Sequence, residues 1–297
     1  MIPLLYLTDR KNRALIPDEK GIADAFAEAG VDIVIKIWDE TDWSPYPYIL
    51  IRTPWNYTRK AGLFLEKISE ATRRGQTIIH SEEIIRWNID KRYLTELSKA
   101  GHKVVPTHVE PAFRHETLKP HFDKYGTVVV KPVVGAAGRN TFKIAPQDDP
   151  LTASALFGSQ ALVQPFIPAI ETEGEYSFIF FEEEFSHAVL KKAKAGEFRV
   201  QDDHGGSVAA YVPTSEEIAQ TRRILKAVNR DTVYARVDVV KWQGELHLME
   251  LEIIEPELFF RFSDGAMARF AKAVCGRVTF VHEKEMPKPP PAPPPEF

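Results

Sequence analysis

The chain has 297 residues, 44% of them hydrophobic and 27% charged, the balance of a soluble globular protein with room for two domains or for one α/β unit with a lid. A net charge of -4 and a pI near 6.2 leave no electrostatic case for nucleic acid or for an anionic membrane surface. The single cysteine, Cys275, excludes an intramolecular disulfide framework and suits a reducing compartment.

The opening run IPLLYLT is too short for a signal-peptide core and meets Asp9-Arg10-Lys11 at once. No stretch approaches a membrane span, so the chain is expected in the cytoplasm. Residues 2–8 read as a buried strand and 18–29 as a helix with the stripe Ile22, Ala25, Phe26 and Ala29, capped by Gly30. Strands at 31–38 and 48–52 follow, then a helix through Leu63, Phe64, Ile68 and Ala71, then a strand at 77–80. This rhythm predicts a small, parallel, doubly wound sheet. No GxGxxG follows its first strand, so it is not a dinucleotide site. The third strand runs out into Arg52-Thr53-Pro54-Trp55-Asn56-Tyr57, at the end of an open sheet where ligands bind. Arg52, with Asn56 nearby, is a candidate clamp for a substrate carboxylate, which its planar fork matches. An interface ion pair packed among aromatics is the competing reading.

From Asn88 the pattern changes. Helices at 90–100 and 116–125 flank a strand at 103–109. TVVVKPV at 127–133 is a strand carrying a lone lysine, Lys131, and GAAGRN at 135–140 leads into another strand at 141–145. A loop of small residues lets backbone N–H groups approach phosphates, and Lys131 adds a point charge there. The loop lacks the GKT/S and the helix of a Walker A motif, and an ordinary glycine turn is its other reading. ALVQPF at 161–166 crosses from a strand into a linker whose backbone can read an adenine edge, and Pro168 keeps the next segment from closing a ladder bond. Glu173, just beyond, can accept from a ribose hydroxyl. Residues 174–184 and 185–193 read as an antiparallel pair, with the glutamates at 182–184 as a solvated tip. The polar loop 194–207, with Lys194, Arg199, His204, Gly205 and Gly206, is of the kind that closes over reactive groups. Thr214 and Glu217 match a capping box that opens a helix through Ile218, Thr221, Leu225 and Val228.

Two apolar runs, 233–242 and 245–252, joined by Gln243-Gly244, then read as a β-hairpin. Alternation puts Glu250 and Glu252 on one face, and Asp238 is an isolated carboxylate on the partner strand. Three converging carboxylates repel, so a cation is expected between them, Mg2+ where the ligand is a nucleotide. Solvated acids on a sheet edge are the alternative, which the apolar neighbours Leu248, Met249, Leu251 and Ile253 disfavour. Residues 264–274 read as a last helix ending before Gly276, with Cys275 in the core. The stretch PKPPPAPPPEF cannot pack a core and reads as an extended tail.

Lys131, the glycine loop, Gln164-Pro165-Phe166, Arg199 and Asp238…Glu250-x-Glu252, in this order, resemble the ATP-grasp superfamily, and within it the glutathione-synthetase-like and RimK-like carboxylate–amine ligases. The phrases IRTPWNY, WNIDKRYL, VVVKPVVGAAGRNTFKI and MELEIIEPELFF look closer still to the group containing the cycloserine-forming cyclo-ligase. The resemblance spans about residues 1–280. It implies an α/β (α+β) chain in the ATP-grasp fold: a Rossmann-like pre-ATP-grasp domain over 1–87, an ATP-grasp domain over 88–284 with a lid at 127–195, and a disordered proline-rich tail over 285–297. It implies an ATP-dependent ligase that joins a carboxylate to an amine through an acyl phosphate, on an amino-acid-like substrate, between molecules or by ring closure. A small-molecule kinase and a nucleotide-binding module without turnover are the alternative readings.

Carried over by residue, the resemblance gives Lys91 and Lys131 contacts with the ATP phosphates or adenine, and sets Gly135 and Gly138 over the phosphates. Gln164 and the backbone of Phe166 and Ile167 would hold adenine, and Glu173 the ribose. Asp238, Glu250 and Glu252 would bind two Mg2+ ions, with Mn2+ as a substitute. Arg199, with Lys194, would stabilise the transferring phosphoryl group, while Arg52, Asn56 and Gly205 would face the substrate. The glutathione-synthetase branch has Glu-x-Asn where this chain has Glu250-x-Glu252, so the substrate does not carry over from that branch. Relatives commonly dimerise, which implies a homodimer.

Overall fold

The computed structural model describes residues 1–136, 138–194, 205–228 and 231–285. The N-terminal third builds the expected parallel sheet. β1 (Ile2–Thr8), α1 (Ile22–Glu28), β2 (Val31–Ile37), β3 (Tyr48–Thr53), α2 (Ala61–Arg73) and β4 (Thr77–Ile78) give the order β2-β1-β3-β4. Alternation along β1 divides its apolar residues between two layers. Leu5 and Leu7 pack with Phe64 and Ile68 of α2, while Leu4 and Tyr6 pack with Ile22 and Phe26 of α1. The first helix starts later than predicted. Pro17–Glu19 is a separate 3-10 turn, and Gly21, at φ 85°, breaks the backbone between that turn and α1.

Two helices, α3 (Glu82–Asn88) and α4 (Tyr93–Lys99), lead to a second sheet of four antiparallel strands. β5 (His108–Glu110), α5 (Lys119–Tyr125), β6 (Val128–Pro132), β7 (Phe142–Ile144) and β8 (Ala161–Pro165) take the order β5-β8-β6-β7. This sheet has its own core of Phe113, Leu118, Val128, Val130, Ile144 and Val163. The strand predicted at 103–109 is interrupted. Pro106 has no N–H to give a ladder, so Lys103 and Val105 bond Leu248 instead and only residues 108–110 join the small sheet.

After α6 (Ala169–Thr172), the chain forms β9 (Glu175–Phe181), β10 (Glu184–Lys192), β11 (Ser207–Tyr211), α7 (Ser215–Ala227), β12 (Tyr234–Trp242) and β13 (Glu245–Glu252). These strands make one antiparallel sheet, β11-β10-β9-β12-β13, with α7 opened by the predicted Thr214–Glu217 capping box. The lid expected at 127–195 is therefore corrected at both ends. The small sheet recruits β5, while β9 and β10 belong to the five-stranded sheet because β9 pairs with β12 along residues 176–181. α8 (Ala266–Glu285) runs straight through Gly276, which does not cap it, and Phe270 and Val274 on one face of α8 are fully buried. Among the described residues, no helix is long and apolar enough to cross a membrane. The proline-rich stretch from 286 and Arg199 lie outside the described residues.

β13 is an edge strand, and its free side is closed by side chains. Asn88 donates to Leu251 O (2.8 Å) and accepts from Ile253 N (3.1 Å), while the Tyr93 hydroxyl bonds both polar groups of Leu251 (2.8 and 3.0 Å). With Leu248 bonded to Lys103 and Val105, the edge has few orphan groups, and the acidic positions 250 and 252 are held in register.

Candidate active site

A cleft of about 240 Å³ lies between the small sheet and the five-stranded sheet. One end is apolar, lined by Val105, Val129, Ile167, Ile170 and Met249, with Gln164 on its wall. The Gln164 amide donates to Thr107 Oγ1 at 2.8 Å, which fixes its orientation. The other end is crowded with charge: Lys91, Lys131, Arg236, Glu175, Glu250, Glu252 and Glu255.

β12 and β13 supply most of that charge by alternation. Arg236 and Asp238 are two apart on β12, and Arg236 faces Glu252, as Asp238 faces Glu250, across the hairpin. The Arg236 guanidinium grips Asp238 through Nε (3.0 Å) and Nη2 (2.9 Å), pairs with Glu252, donates to Glu257 O (3.1 Å) and lies over the Phe259 ring. Asp238 also accepts from the Ser177 hydroxyl (2.5 Å) and has Lys191 Nζ at 3.5 Å, while Lys191 pairs with Glu175. Lys91 Nζ reaches Glu250 (2.5 Å) and Gly135 O (2.8 Å), tying the glycine loop to the acidic strand.

Burial sets the protonation of this cluster. It raises the Glu252 carboxyl to about 8, with the charges of Glu250 and Asp238 adding to the effect against Arg236. It raises Glu255 to about 7, against a hydrogen bond from Tyr57. For Glu250, Lys91 and Lys131 outweigh burial and hold the carboxyl below its usual range. Lys131 stands apart: 8% exposed and facing the cleft, it has no side-chain hydrogen bond or ion pair among the described residues. Burial lowers its pKa in spite of the attraction of Glu250.

The residues fit an anionic ligand and a hard divalent cation. An unpartnered ammonium in a cleft is matched by a phosphate, and the crowded oxygens of Glu250 and Glu252 suit Mg2+, whose charge relieves their repulsion. Lys91, Lys131, Gly135, Gly138, Gln164 and Ile167 all line the cleft. Gly138 sits at φ 63° and a Cβ on Gly135 would come 3.0 Å from Pro132 Cγ, so both positions need their small residue.

Seven expectations change. Asp238 is turned to Arg236, Ser177 and Lys191 rather than lining the cleft, so the cation expected among three carboxylates is partly supplied by the protein itself. Arg52 is fully buried, bonded to Glu19 (2.8 Å) and Pro256 O (2.9 Å), with Tyr234 and Phe270 rings against it; it is an interior ion pair and not a substrate clamp. Asn56 accepts from Trp38 Nε1 (2.5 Å) and its N–H goes to Asp9, so it pins the turn after β3, and Trp55 is the residue there that reaches the cleft. Glu173 is exposed at the end of α6, and Glu175 takes the lining position. The Phe166 N–H is bonded to Thr127 O (3.0 Å) and its ring carries Lys143, so only its neighbour Ile167 lines the cleft. Lys194 and Gly205 are exposed at the ends of β10 and β11 and do not line it. Arg199 and His204 are outside the described residues.

Arg236 and Arg139 line the cleft without having been expected there. Arg236 was legible as the residue two before Asp238, hence on the same face. Arg139 lies within the GAAGRN loop and lines the cleft. Gly174, between Glu173 and Glu175, is also needed: its φ is 106°, and a Cβ would fall 2.3 Å from Lys191 O. Gly174→Ala should destabilise the fold by about 3 kcal/mol through strain and overpacking, and should shift Glu175 off Lys191. Urea unfolding measures this, and an unchanged midpoint would contradict the close approach.

Comparison with known proteins agrees with the residue pattern. A family model described as the N-terminal domain of D-cycloserine synthetase DcsG matches residues 4–79, and one described as the prokaryotic glutathione synthetase ATP-grasp domain matches residues 91–261. The cycloserine biosynthesis protein DcsG of Streptomyces lavendulae is 26% identical over 315 residues, covering 93% of this chain and 98% of that protein. The solved structure of D-cycloserine synthetase DcsG superposes with a TM-score of 0.81 at 24% identity, over 93% of this chain and 99% of that one. D-alanine–D-alanine ligase from Bacillus anthracis superposes at 0.63 with 14% identity, over 96% and 99% of the two chains. The last two share the fold.

Proposed function

The chain belongs to the prokaryotic glutathione synthetase ATP-grasp family, and from that premise we propose that it joins the carboxylate of a small amino-acid-like substrate to an amine of the same molecule, closing a ring. ATP-dependent carboxylate–amine ligation, with ADP and phosphate released, is the chemistry of this ATP-grasp ligase, and ATP and Mg2+ are its requirements. Ring closure draws support from the similarity to DcsG along nearly the whole chain.

The observation that carries the reading is Lys131: a buried ammonium, without a partner among the described residues, on one wall of a cleft whose opposite wall presents Glu250 and Glu252. The apolar end beside Gln164 and Ile167 would take the adenine. Lys131, Lys91 and Arg139 would hold phosphate oxygens beneath the Gly135 and Gly138 backbone. Glu250 and Glu252 would hold Mg2+, two ions by our reading and with Mn2+ as a substitute, which when bound spread the charge of the phosphate oxygens. A substrate carboxylate oxygen attacks the γ-phosphorus, and ADP leaves with the electrons of the broken P–O bond. The amine nitrogen then attacks the acyl carbon, phosphate departs with the C–O pair, and the amine releases its proton. Water would destroy the acyl phosphate, so the small sheet is assigned the role of cover, with 88–284 as the ligase domain and 1–87 preceding it. Arg199 and Lys194 remain our candidates for the cations of that cover, and Trp55 takes the substrate-facing position first given to Arg52. Glu257, which also lines the cleft and pairs with Arg261, would meet a substrate amine. We further read the protein as a cytoplasmic homodimer.

The test is ATP turnover with Mg2+ across free amino acids that include O-ureidoserine, scored for ADP, AMP, phosphate and product mass. ADP and phosphate in step with a product lighter by one water are expected, or lighter by one water and the elements of isocyanic acid where O-ureidoserine gives cycloserine. AMP would sink the acyl-phosphate route, and a stable phosphorylated product would make the protein a kinase. ATP binding without turnover on any substrate would leave a binding module.

A further inference from the structure

We propose that His108, Glu110 and His121 form a second metal site, away from the cleft, for a borderline cation such as Zn2+. His108 and Glu110 are two apart on β5, so alternation sets them on one face, and β5 is an edge strand of the small sheet. His121, in the first turn of α5, meets them from the neighbouring element. Both imidazole Nε2 atoms aim at the same carboxylate oxygen of Glu110, at 3.1 Å from His108 and 3.4 Å from His121. The two rings stand 4.8 Å apart, tilted by 52°.

The two His–Glu separations match the ligand spacing of a tetrahedral ion. Ligands bound at zinc distances sit about 3.3 Å from one another. All three donor atoms lie within 4.8 Å of each other, and this is the one such set of three among the described residues. Two imidazole nitrogens and one carboxylate suit Zn2+ and its neighbours in the transition series, and not Mg2+, which demands oxygen. Glu110 and His121 have 12% and 13% of their side chains exposed, so two donors are held by the fold, while His108, at 57%, leaves the fourth position to water. None of the three lines the ATP cleft. The ion would close the connection between β5 and α5, whose Phe113 and Leu118 are fully buried in the core of the small sheet. The site is thus a clip on the covering subdomain.

The test uses the full chain, stripped with a chelator and kept in excess Mg2+ so that the cleft carboxylates are occupied. Equilibrium dialysis should find one equivalent of Zn2+, Co2+ should give the visible d–d spectrum of a tetrahedral N/O site, and Zn2+ should raise the melting temperature. In His108→Asn/His121→Gln the equivalent should bind at least about tenfold more weakly, with the melting shift gone and ADP formation in zinc-free buffer unchanged. If that variant fails to fold, Glu110→Gln, close in volume and still an acceptor, is read in its place. Zinc uptake and melting shift equal to those of the unmodified chain would overturn the site, as would no zinc retained over Mg2+.

Discussion

Lys131→Met is expected to lower ADP formation by about 10²- to 10³-fold, the usual loss on removing one preorganised electrostatic contact to a reacting group. The same change is expected to raise the melting temperature of the ligand-free protein. A buried ammonium with no partner among the described residues is a standing cost of the folded state, and a methionine of similar length fills the space without it. The sign with pH follows from the lowered pKa of Lys131. A lysine whose folded pKa lies below its unfolded value opposes folding while the unfolded chain holds the proton more tightly. The stability gain of Lys131→Met should therefore be largest near neutral pH and shrink as pH rises toward the ordinary lysine value, about 10.4. Thermal scans of both proteins at two pH values, beside ATP turnover, decide it. A variant that is inactive and also less stable would mean that Lys131 is a structural cation.

Arg52→Met is expected to destabilise the protein by about 3–5 kcal/mol, a fall in melting temperature of roughly 10 °C, while the folded protein keeps its KM for the amino-acid substrate. The loss comes from Glu19, which is 0% exposed and would be left charged with, among the described residues, the Tyr6 hydroxyl (2.6 Å) alone to satisfy it. Glu19→Gln added to Arg52→Met should recover most of the stability, because glutamine still accepts from Tyr6 and no buried charge remains. A rise in KM with an unchanged melting temperature would restore the carboxylate-clamp reading.

Arg52 and Arg236 differ in how far local pattern determines their partners. Arg52 ends a strand at the place where open sheets bind ligands, yet it turns inward because Glu19, far away in sequence, waits in the interior. Arg236 is two residues from Asp238, so strand alternation alone puts the two on one face. Glu173 and Glu175 also alternate with each other, but Glu173 belongs to the end of a one-turn helix and Glu175 begins a buried strand, a boundary that local propensity does not place.

Strand and helix periodicity, the lone lysine of β6, the small-residue loop and the acidic hairpin were legible along the chain, because each depends on neighbours within a few residues. Those signals carried the parallel sheet and eight of the residues that line the cleft, and the resemblance of the ordered motifs carried the ATP-grasp family. The partners of charges were settled by folding. Asp238 meets Ser177 and Lys191, Arg52 meets Glu19, and His121 meets Glu110, through contacts across strands and sheets that no local spacing encodes. A buried charge takes the counter-charge that packing brings within reach, and long-range packing is a property of the whole fold.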